Sequence, residues 1–343
     1  MSDFITDYLK SLDNEFAGIA EDGMINDVRG FIDTGSYALN ALLSTSIYGG
    51  LPEGKVLALA GPTSTGKTFF CLAITKNFLD QDPNARVICF ESEGAIRSKM
   101  LEERQIDKKR FINIPIETVQ QFKNSCLQCI NQYLQIPEKE RPKLLFILDS
   151  LGMLSTTKEM EDSNDGKETK DMTRAQIIKA AFRVLTLKLS LANVPMIITN
   201  HTYTEMGLYP KQIMAGGSGT FYAASTIVFL SRRKEKDGTE IVGNVIHATL
   251  NKSRLARENM KIDTMLHYTK GLNKYYGLDE LALECGIFKK SGTRIELPDG
   301  TKLFSKAILS NPTKYFTQDV MDKIDEYCKI KFSYGGEQVE KDV

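Results

Sequence analysis

Short apolar runs alternate with longer amphipathic stretches between about residue 30 and residue 270. Several of these runs are continuously apolar, which is typical of strands that helices cover on both faces of a parallel sheet. Strands are predicted at residues 55–60, 86–90, 144–149, 195–200, 226–231 and 244–250. The pattern therefore predicts an α/β fold, a mostly parallel twisted sheet with helices on both faces.

Two stretches break this alternation. Residues 155–171 are polar and charged, and residues 202–220 end in a glycine-rich sequence. Both follow predicted strands at their carboxyl ends, which is where open α/β sheets bind ligands. Because long loops inside a compact domain are usually functional or disordered, we expect two long unstructured binding loops. Between them, residues 172–191 are predicted to form an amphipathic helix.

The two ends of the chain differ from its centre. An amphipathic helix is predicted over residues 1–20, and it needs a surface to cover, either its own core or a neighbouring subunit. The C-terminal part is mixed, with a hairpin-like turn at 298–300 and a helix near 317–330. The expected parts are an N-terminal helical arm for subunit contact at 1–29, a core at 30–276, and a small C-terminal domain and tail at 277–343.

Composition narrows the partners and the compartment. The 343 residues are 42% hydrophobic and 26% charged, as in ordinary globular proteins. Basic and acidic residues balance at 44 each, so any contact with nucleic acid must come from a local patch of charge. No apolar run approaches the roughly 20 residues that span a bilayer, and the N-terminus has no apolar signal core. We therefore expect a cytoplasmic protein.

The cysteines also favour a cytoplasmic protein. Cys126 and Cys129 have the spacing of half a zinc site, but their segment has helical periodicity and the sequence has no second such pair. A buried helix face is therefore favoured over a metal site. Scattered cysteines without a framework are typical of a reducing compartment.

The segment at residues 61–68 is the most informative motif. It has the form G-x-x-x-x-G-K-T between a predicted strand and a predicted helix, which is the context of a phosphate-binding loop. Its glycines let backbone N–H groups turn toward phosphate oxygens, and the helix N-terminus adds partial positive charge. Lys67 is expected to reach the β- and γ-phosphates, and the Thr68 hydroxyl to bind Mg²⁺. The candidate ATP-binding residues are Gly61, Pro62, Thr63, Ser64, Thr65, Gly66, Lys67 and Thr68.

Polar side chains end three other predicted strands. Asp149 is the candidate carboxylate for orienting Mg²⁺, with Ser150 beside the γ-phosphate. Glu91 and Glu93 follow another strand; either one can activate the attacking water, or both are simply solvated, because spacing puts them on one face. His201 ends a third strand, where it either contacts the γ-phosphate or has a structural role. Spacing alone leaves these choices open.

Further short stretches make the pattern specific, and they recur in a fixed order. They are Ile32-Asp33-Thr34-Gly35-Ser36, Gly49-Gly50-Leu51-Pro52-Glu53-Gly54, Asp149-Ser150-Leu151-Gly152, Asp171-Met172-Thr173-Arg174-Ala175, Asn200-His201-Thr202-Tyr203, Gly216-Gly217-Ser218-Gly219, Asn251-Lys252-Ser253-Arg254 and Tyr275-Tyr276-Gly277. With these stretches the chain resembles the RecA-type DNA strand-exchange recombinases, most closely the UvsX recombinases of T4-like bacteriophages. The likeness covers roughly residues 30–290.

The resemblance implies a RecA-like P-loop ATPase core with ATP and Mg²⁺ as cofactors. It implies a recombinase that polymerises on single-stranded DNA as a helical filament and hydrolyses ATP when DNA stimulates it. Such a filament pairs and exchanges homologous strands in recombination, repair and recombination-dependent replication. The implied partners are single-stranded DNA, a homologous duplex, further copies of the chain, and recombination mediator and single-strand-binding proteins. A phage-encoded member would act in the cytoplasm of its bacterial host, with ADP alone or also AMP as product.

The resemblance also implies roles for single residues. Glu93 becomes the glutamate that activates water, Lys67 completes the catalytic set, and His201 takes the place of the γ-phosphate sensor. The two predicted loops become the DNA-binding loops. The implied contacts to DNA phosphates are Arg174, Arg183, Gly216, Gly217 and Ser218, and the candidate base wedges are Met206, Leu208 and Tyr209.

The resemblance also implies a subunit-interface role for the segment after the last predicted core strand. Lys252 would reach the γ-phosphate bound to a neighbouring copy. Bacterial RecA has a second lysine here, whose position holds Leu250 in this chain. Arg254 is the candidate replacement for that lysine.

The adenine contacts must differ from those of bacterial RecA. The Asp and Tyr that cradle the base there correspond to Arg97 and Met100 here. The resemblance places Tyr268 at the border of the adenine. Phe69 and Met100 complete the candidate nucleotide-binding set.

Two other functions use the same core. A ring-forming motor such as a replicative helicase would translocate on DNA, but the glycine-rich second loop and the N-terminal arm favour an open helical assembly. A regulatory paralogue would bind ATP and a partner without strand exchange, but Lys67, Asp149 and Glu93 are all present. The recombinase is therefore the favoured function.

Overall fold

The structure is a computed structural model. It describes residues 4–14, 16–22, 24, 26–166, 172–205, 211–215 and 224–335.

The strands are β1 (Phe31–Ile32), β2 (Leu51–Pro52), β3 (Val56–Ala60), β4 (Arg86–Glu91), β5 (Phe111–Pro115), β6 (Leu144–Asp149), β7 (Met196–Asn200), β8 (Thr202–Glu205), β9 (Lys211–Met214), β10 (Thr226–Asp237), β11 (Glu240–Lys252), β12 (Lys261–His267), β13 (Gly271–Leu272), β14 (Lys289–Ser291), β15 (Arg294–Glu296) and β16 (Lys302–Leu303). The main sheet has the order β13-β12-β11-β10-β3-β7-β6-β4-β5. Its strands from β10 to β5 are parallel, while β11, β12 and β13 are added in antiparallel fashion at one edge.

The helices are α1 (Phe4–Ser11), α2 (Tyr37–Ser44), α3 (Lys67–Gln81), α4 (Ser98–Glu103), α5 (Val119–Leu134), α6 (Thr157–Asn164), α7 (Arg174–Leu191), α8 (Leu278–Glu284), α9 (Ser305–Ser310), α10 (Pro312–Tyr315) and α11 (Gln318–Lys331). Short 3₁₀ turns lie at Ala20–Asp22, Glu138–Glu140 and Leu151–Met153. In the part of the chain that the structure describes, no helix is long and apolar enough to cross a membrane.

Apolar residues cover the main sheet on both faces, which explains its continuously apolar strands. Along β6, Leu145 and Ile147 belong to a core cluster that includes residues of α2 and α3. Leu144, Phe146 and Leu148 belong to a second cluster that includes residues of α5 and α7. The predicted α/β architecture is therefore confirmed, and each predicted strand has a counterpart in the sheet.

The first predicted loop is partly helical, so the expectation of an unstructured stretch is wrong for α6. The Thr156 hydroxyl accepts a hydrogen bond from the Glu159 N–H (3.1 Å), and the Glu159 carboxylate accepts one from the Thr156 N–H (2.8 Å). This reciprocal pair satisfies two N–H groups that a helix start would otherwise leave free. Residues 167–171 lie outside the described residues.

The second predicted loop and the N-terminal arm also differ from expectation. Strands β8 and β9 pair as an antiparallel hairpin, so residues 202–205 and 211–214 are not loop. The N-terminal helix is shorter than predicted, because α1 ends at Ser11. None of its residues is buried, and a helix this short gains little stability without packing.

The C-terminal segment packs against the core through an apolar and a polar contact. Ile308 and Ile324 belong to the same core cluster as the strands of the main sheet. The buried carboxylate of Asp325 accepts hydrogen bonds from the Ser46 hydroxyl (2.6 Å) and the Ile47 N–H (2.8 Å), just after α2. The predicted hairpin at 298–300 and the predicted C-terminal helix are both present, as β15–β16 and α11.

The helix predicted for the cysteine pair is also present. Cys126 and Cys129 lie on α5, and Cys126 is buried in the second core cluster. Among the described residues, no group of three or more His, Cys, Asp or Glu side chains is arranged to hold a metal ion.

Candidate nucleotide-binding site

The loop at residues 61–66 joins the end of β3 to the start of α3 at the carboxyl edge of the sheet. Its first N–H, that of Gly61, donates to the Asn200 carbonyl at the end of β7 (3.2 Å). A Cβ at Gly61 would lie 2.5 Å from the Leu230 carbonyl oxygen, so only glycine fits there. Gly66 has a φ of 86°, a conformation that favours glycine and lets the loop turn into the helix.

Lys67 is held across the mouth of this loop. Its Nζ donates to the carbonyls of Gly61 (2.9 Å) and Pro62 (3.0 Å). Burial lowers the pKa of Lys67, while the charges of Glu93 and Asp149 partly raise that pKa again. A buried ammonium bound to carbonyl oxygens would gain a stronger partner in a phosphate oxygen.

Asp149 at the end of β6 faces the first turn of α3. The Thr68 hydroxyl donates to its Oδ2 (2.7 Å), and the Thr199 hydroxyl donates to its Oδ1. Burial raises the pKa of Asp149, and the two hydroxyl hydrogen bonds only partly offset that rise. A carboxylate and a hydroxyl on neighbouring elements are oxygen ligands of the kind that Mg²⁺ prefers, so these two residues fit a magnesium ion.

Glu91 and Glu93 occupy different environments, although their spacing is that of one strand face. Glu91 is the last residue of β4, and its Oε1 accepts a hydrogen bond from the Ala95 N–H (2.7 Å). Glu93 lies beyond the strand end and lines a pocket of about 140 Å³ together with Lys67 and Asp149. The geometry therefore favours Glu93 over Glu91 as the candidate that activates the attacking water.

Two of the described residues contact the carboxylate of Glu93 through hydrogen bonds. Its Oε1 accepts from the Ser150 hydroxyl (2.5 Å) and lies 3.0 Å from Nε2 of His201. Burial raises the pKa of Glu93, while the hydrogen bonds from Ser150 and His201 and the nearby positive charge of Lys67 lower it, and the net pKa is below its ordinary value. Glu93 is therefore ionised near neutral pH and can accept a proton.

His201 connects this pocket to the β8–β9 hairpin. The Ala215 N–H, next to the end of β9, donates to the His201 carbonyl (2.9 Å). The Asn200 side-chain amide donates to the Ala215 carbonyl (2.7 Å). Asn200 at the end of β7 and His201 directly after it thus hold the base of the hairpin, and the His201 side chain lines the pocket.

A second, larger cleft of about 720 Å³ adjoins the first, because Phe69 lines both. Tyr268, half-exposed beyond β12, lines the same cleft. Met100 does not line it; this side chain packs against the core. Arg104 does line the cleft, and its guanidinium carbon lies 4.4 Å from the ring centroid of Phe69. Sequence reasoning missed Arg104, because its proximity to Phe69 depends on the packing of α4 against α3.

Lys252 and Arg254 lie at the opposite end of the sheet. Lys252 ends β11 and pairs with Ile227 at the start of β10, a strand that runs parallel to β3. The phosphate loop instead follows the end of β3, so the structure does not bring these cations to the pocket of their own chain. Burial and the charge of Arg254 lower the pKa of Lys252, and the same two causes lower the pKa of Lys55 just before β3. Sequence reasoning missed Lys55 as a neighbour of this cluster.

The two arginines expected to contact DNA differ in their availability. Arg174, at the start of α7, donates from Nε to the Leu154 carbonyl (3.0 Å) and from NH2 to the Gly152 carbonyl (2.9 Å). Arg183 lies in the middle of α7 and is exposed. The other expected DNA contacts, Gly216, Gly217 and Ser218, lie outside the described residues, as do Met206, Leu208 and Tyr209.

These observations define a class, an α/β protein with a P-loop at the carboxyl edge of a mostly parallel sheet. The model of the family described as the RecA N-terminal domain matches residues 19–273. The chain therefore belongs to the RecA family.

Individual relatives agree with this family. The chain is 34% identical over 252 residues to the "Recombination and repair protein" of Enterobacteria phage T4, an alignment that covers 74% of this chain and 63% of that protein. It is 26% identical over 312 residues to "Protein RecA" of Cutibacterium acnes, covering 85% of this chain and 82% of that protein. The RecA protein of Streptomyces venezuelae is 25% identical over 316 residues, covering 89% of this chain and 77% of its own length.

Proposed function

We propose that this chain is an ATP-dependent DNA recombinase that polymerises on single-stranded DNA and catalyses homologous pairing and strand exchange. The single observation that carries the proposal is the series of contacts from Glu93 through His201 to the β8–β9 hairpin. It joins a pocket suited to phosphates with the hairpin in the second predicted DNA-binding loop. The family of the chain and the printed names of its relatives support the same function.

ATP would lie with its phosphates in the loop at 61–68. Lys67 exchanges its carbonyl partners for β- and γ-phosphate oxygens, and the loop N–H groups bind the remaining oxygens. Thr68 and Asp149 would hold Mg²⁺, which offsets the charge of the β- and γ-phosphates when bound. Ser150 stands beside the γ-phosphate and keeps the Glu93 carboxylate in place through their hydrogen bond.

Glu93 is the proposed general base. Its lowered pKa keeps it ionised, so it accepts a proton from the water that attacks the γ-phosphate. Lys67 stabilises the charge that develops on the phosphate oxygens. The product is ADP. The same hydrolysis assay also measures whether AMP is released as a second product.

Completion of the site requires a second copy of the chain. Lys252 and Arg254 lie at the opposite end of the sheet from their own loop, so they can reach a γ-phosphate only in a neighbour. Repeating a contact between two different ends generates a ring or a helical filament. The exposed apolar residues of α1 suit the N-terminal segment to a second contact with a neighbour, as an arm.

His201 would report the γ-phosphate to the DNA-binding loops. In the structure His201 is hydrogen-bonded to Glu93. A bound γ-phosphate would offer His201 a competing anionic partner. A shift of His201 moves Ala215 and the hairpin through their backbone bond. Arg183 and the segment containing Gly216, Gly217 and Ser218 then bind DNA phosphates, so binding is salt-sensitive and nearly independent of sequence.

The remaining parts of the proposal follow from this function. The partners are single-stranded DNA, a homologous duplex, further copies of the chain, and mediator and single-strand-binding proteins. The compartment is the cytoplasm, and the three-part division at residues 29–30 and 276–277 separates arm, core and C-terminal domain.

The test is ATP hydrolysis with and without single-stranded DNA, combined with electron microscopy of the same samples. Strong stimulation by DNA together with helical filaments supports the recombinase. Closed rings would instead indicate a helicase-like motor, and absence of both turnover and polymer would indicate a regulatory ATP-binding protein.

A further inference from the structure

The cleft beside the phosphate pocket has two walls from different parts of the chain. One wall is built by α3 and the end of α4, and includes Phe69 and Arg104. The other is built by the end of β12 and the turn after it, and includes Leu266 and Tyr268. Because Phe69 lines both the phosphate pocket and this cleft, the base of a nucleotide whose phosphates occupy the loop can enter the cleft.

Arg104 is fixed on the first wall by three contacts. Its guanidinium carbon lies 4.4 Å from the centroid of the Phe69 ring, and NH1 donates to the Met100 carbonyl (3.0 Å). NH1 also lies 3.9 Å from the Glu103 carboxylate. Only 21% of the Arg104 side chain is exposed. A side chain this restricted loses little further conformational entropy when a ligand binds against it.

The guanidinium group suits a nucleobase for a physical reason. It is planar, always charged and weakly hydrated, so it stacks on flat π systems where an ammonium group cannot. The group lies over the Phe69 ring, and Arg104 also lines the cleft. Tyr268 offers an exposed ring on the opposite wall.

We propose that Arg104 is the stacking platform for the base of the bound nucleotide, with Phe69 beneath it and Tyr268 on the far side of the base. The proposal deepens the proposed function and rests on it in one respect, that the phosphates occupy the loop at 61–68. It gives the cleft a base-recognition residue that differs from Arg97 and Met100, the two positions that correspond to the adenine contacts of bacterial RecA. Arg97 is exposed ahead of α4, and the Met100 side chain packs into the core.

The experiment measures binding of two ligands to the full chain by isothermal titration calorimetry in the presence of Mg²⁺. ADP carries phosphates and a base, whereas inorganic tripolyphosphate carries phosphates alone. The variants are Arg104→Ala, Arg104→Lys and, as a matched control from the same segment, Arg97→Ala. The lysine variant keeps the charge and removes the planar group.

Arg104→Ala is expected to weaken ADP binding by about tenfold, the loss of one stacked cation, and to leave tripolyphosphate binding unchanged. Arg104→Lys should also weaken ADP binding, because an ammonium does not stack, and Arg97→Ala should bind both ligands like the parent chain. Unchanged tripolyphosphate binding shows in the same titration that the variant has kept its fold.

Three results would contradict the proposal that Arg104 stacks on the base. They are unchanged ADP binding in Arg104→Ala, an equal loss for ADP and tripolyphosphate, or a loss in Arg97→Ala as large as that in Arg104→Ala. A parent chain that binds neither ligand would overturn the nucleotide site itself. The failure of the platform and the failure of the proposed function are thus told apart.

Discussion

The two ends of the main sheet carry charge in opposite ways. At the carboxyl end, Lys67 lies among the carboxylates of Glu93 and Asp149, and each charge has hydrogen-bond partners within the chain. At the amino end, Lys252, Arg254 and Lys55 are close enough for the charge of Arg254 to lower the pKa of both lysines. The first end has one cation among two carboxylates, while the second has three cations, with the carboxylate of Glu258 near Lys252 and that of Asp27 near Lys55. We infer that a phosphate from another copy completes the balance at the second end.

The largest effect is expected when the general base is removed from the carboxyl end of the sheet. Glu93→Gln should lower kcat for ATP by about 10³-fold and leave ATP binding intact, because the amide cannot accept a proton from water. Glu91→Gln is the matched control, since Glu91 bonds to the Ala95 N–H outside the pocket. Steady-state hydrolysis with single-stranded DNA measures both. A normal rate in Glu93→Gln, or an equal loss in Glu91→Gln, would reassign the base.

Mixing variants tests whether the two ends meet between copies. Glu93→Gln and the double variant Lys252→Ala/Arg254→Ala should each be inactive alone. In an equimolar mixture, about one interface in four joins an intact carboxyl end to an intact amino end, so about a quarter of the parent rate should return.

The control for this mixture pairs Glu93→Gln with Lys67→Ala. Both defects lie at the carboxyl end, so no interface is complete and the mixture should stay inactive. If the first mixture also stayed inactive, the shared site would be refuted.

The two arginines of α7 separate DNA contact from loop support. Arg183→Ala should reduce the salt dependence of single-stranded DNA binding by about one unit of slope, as expected for one lost phosphate contact. Arg174→Ala should leave the slope unchanged and cost about 1–2 kcal/mol of stability, because two loop carbonyls lose their donor. Salt titrations of DNA affinity measure the first effect, and urea unfolding measures the second. If Arg174→Ala changed the slope and Arg183→Ala changed the stability, the two assigned roles would be reversed.

The smallest expected effect is a shift in pH dependence. The base must be ionised, so kcat falls as the pH drops through the pKa of Glu93. Burial raises that pKa, while the hydrogen bonds from Ser150 and His201 and the charge of Lys67 lower it, with a net lowering. Ser150→Ala removes one lowering contribution, so the pKa rises and the acid limb of the kcat–pH profile should move to higher pH. An unmoved limb would mean that another group controls it.

The strands and the phosphate loop were predictable because their signals are local. Apolar runs of five or six residues mark β3 and β6, and eight consecutive residues mark the loop. The choice between Glu91 and Glu93 was not predictable from spacing, because alternation holds only within a strand and β4 ends at Glu91. The resemblance indicated Glu93, and the turn after β4 gives the geometric reason.

Other features required tertiary information or were overlooked. The start of α6 was visible in Thr156 and Glu159, whose spacing is that of a capping box, but the polar composition of the stretch concealed it. The early end of α1 depends on the absence of buried residues along it, which no periodicity shows. The contact of Arg104 with Phe69 joins residues 35 positions apart in sequence, and only the packing of two helices brings them together.

The anchoring of the β8–β9 hairpin at Asn200 and Ala215 has a mechanical consequence. From this anchor, β8 extends four residues, or about 13 Å, as far as Glu205. A tilt of about 10° at the anchor would displace Glu205 by about 2 Å, because displacement grows with distance from a pivot. Under the proposed function, the hairpin would act as a lever that turns a small shift at His201 into a larger displacement at Glu205.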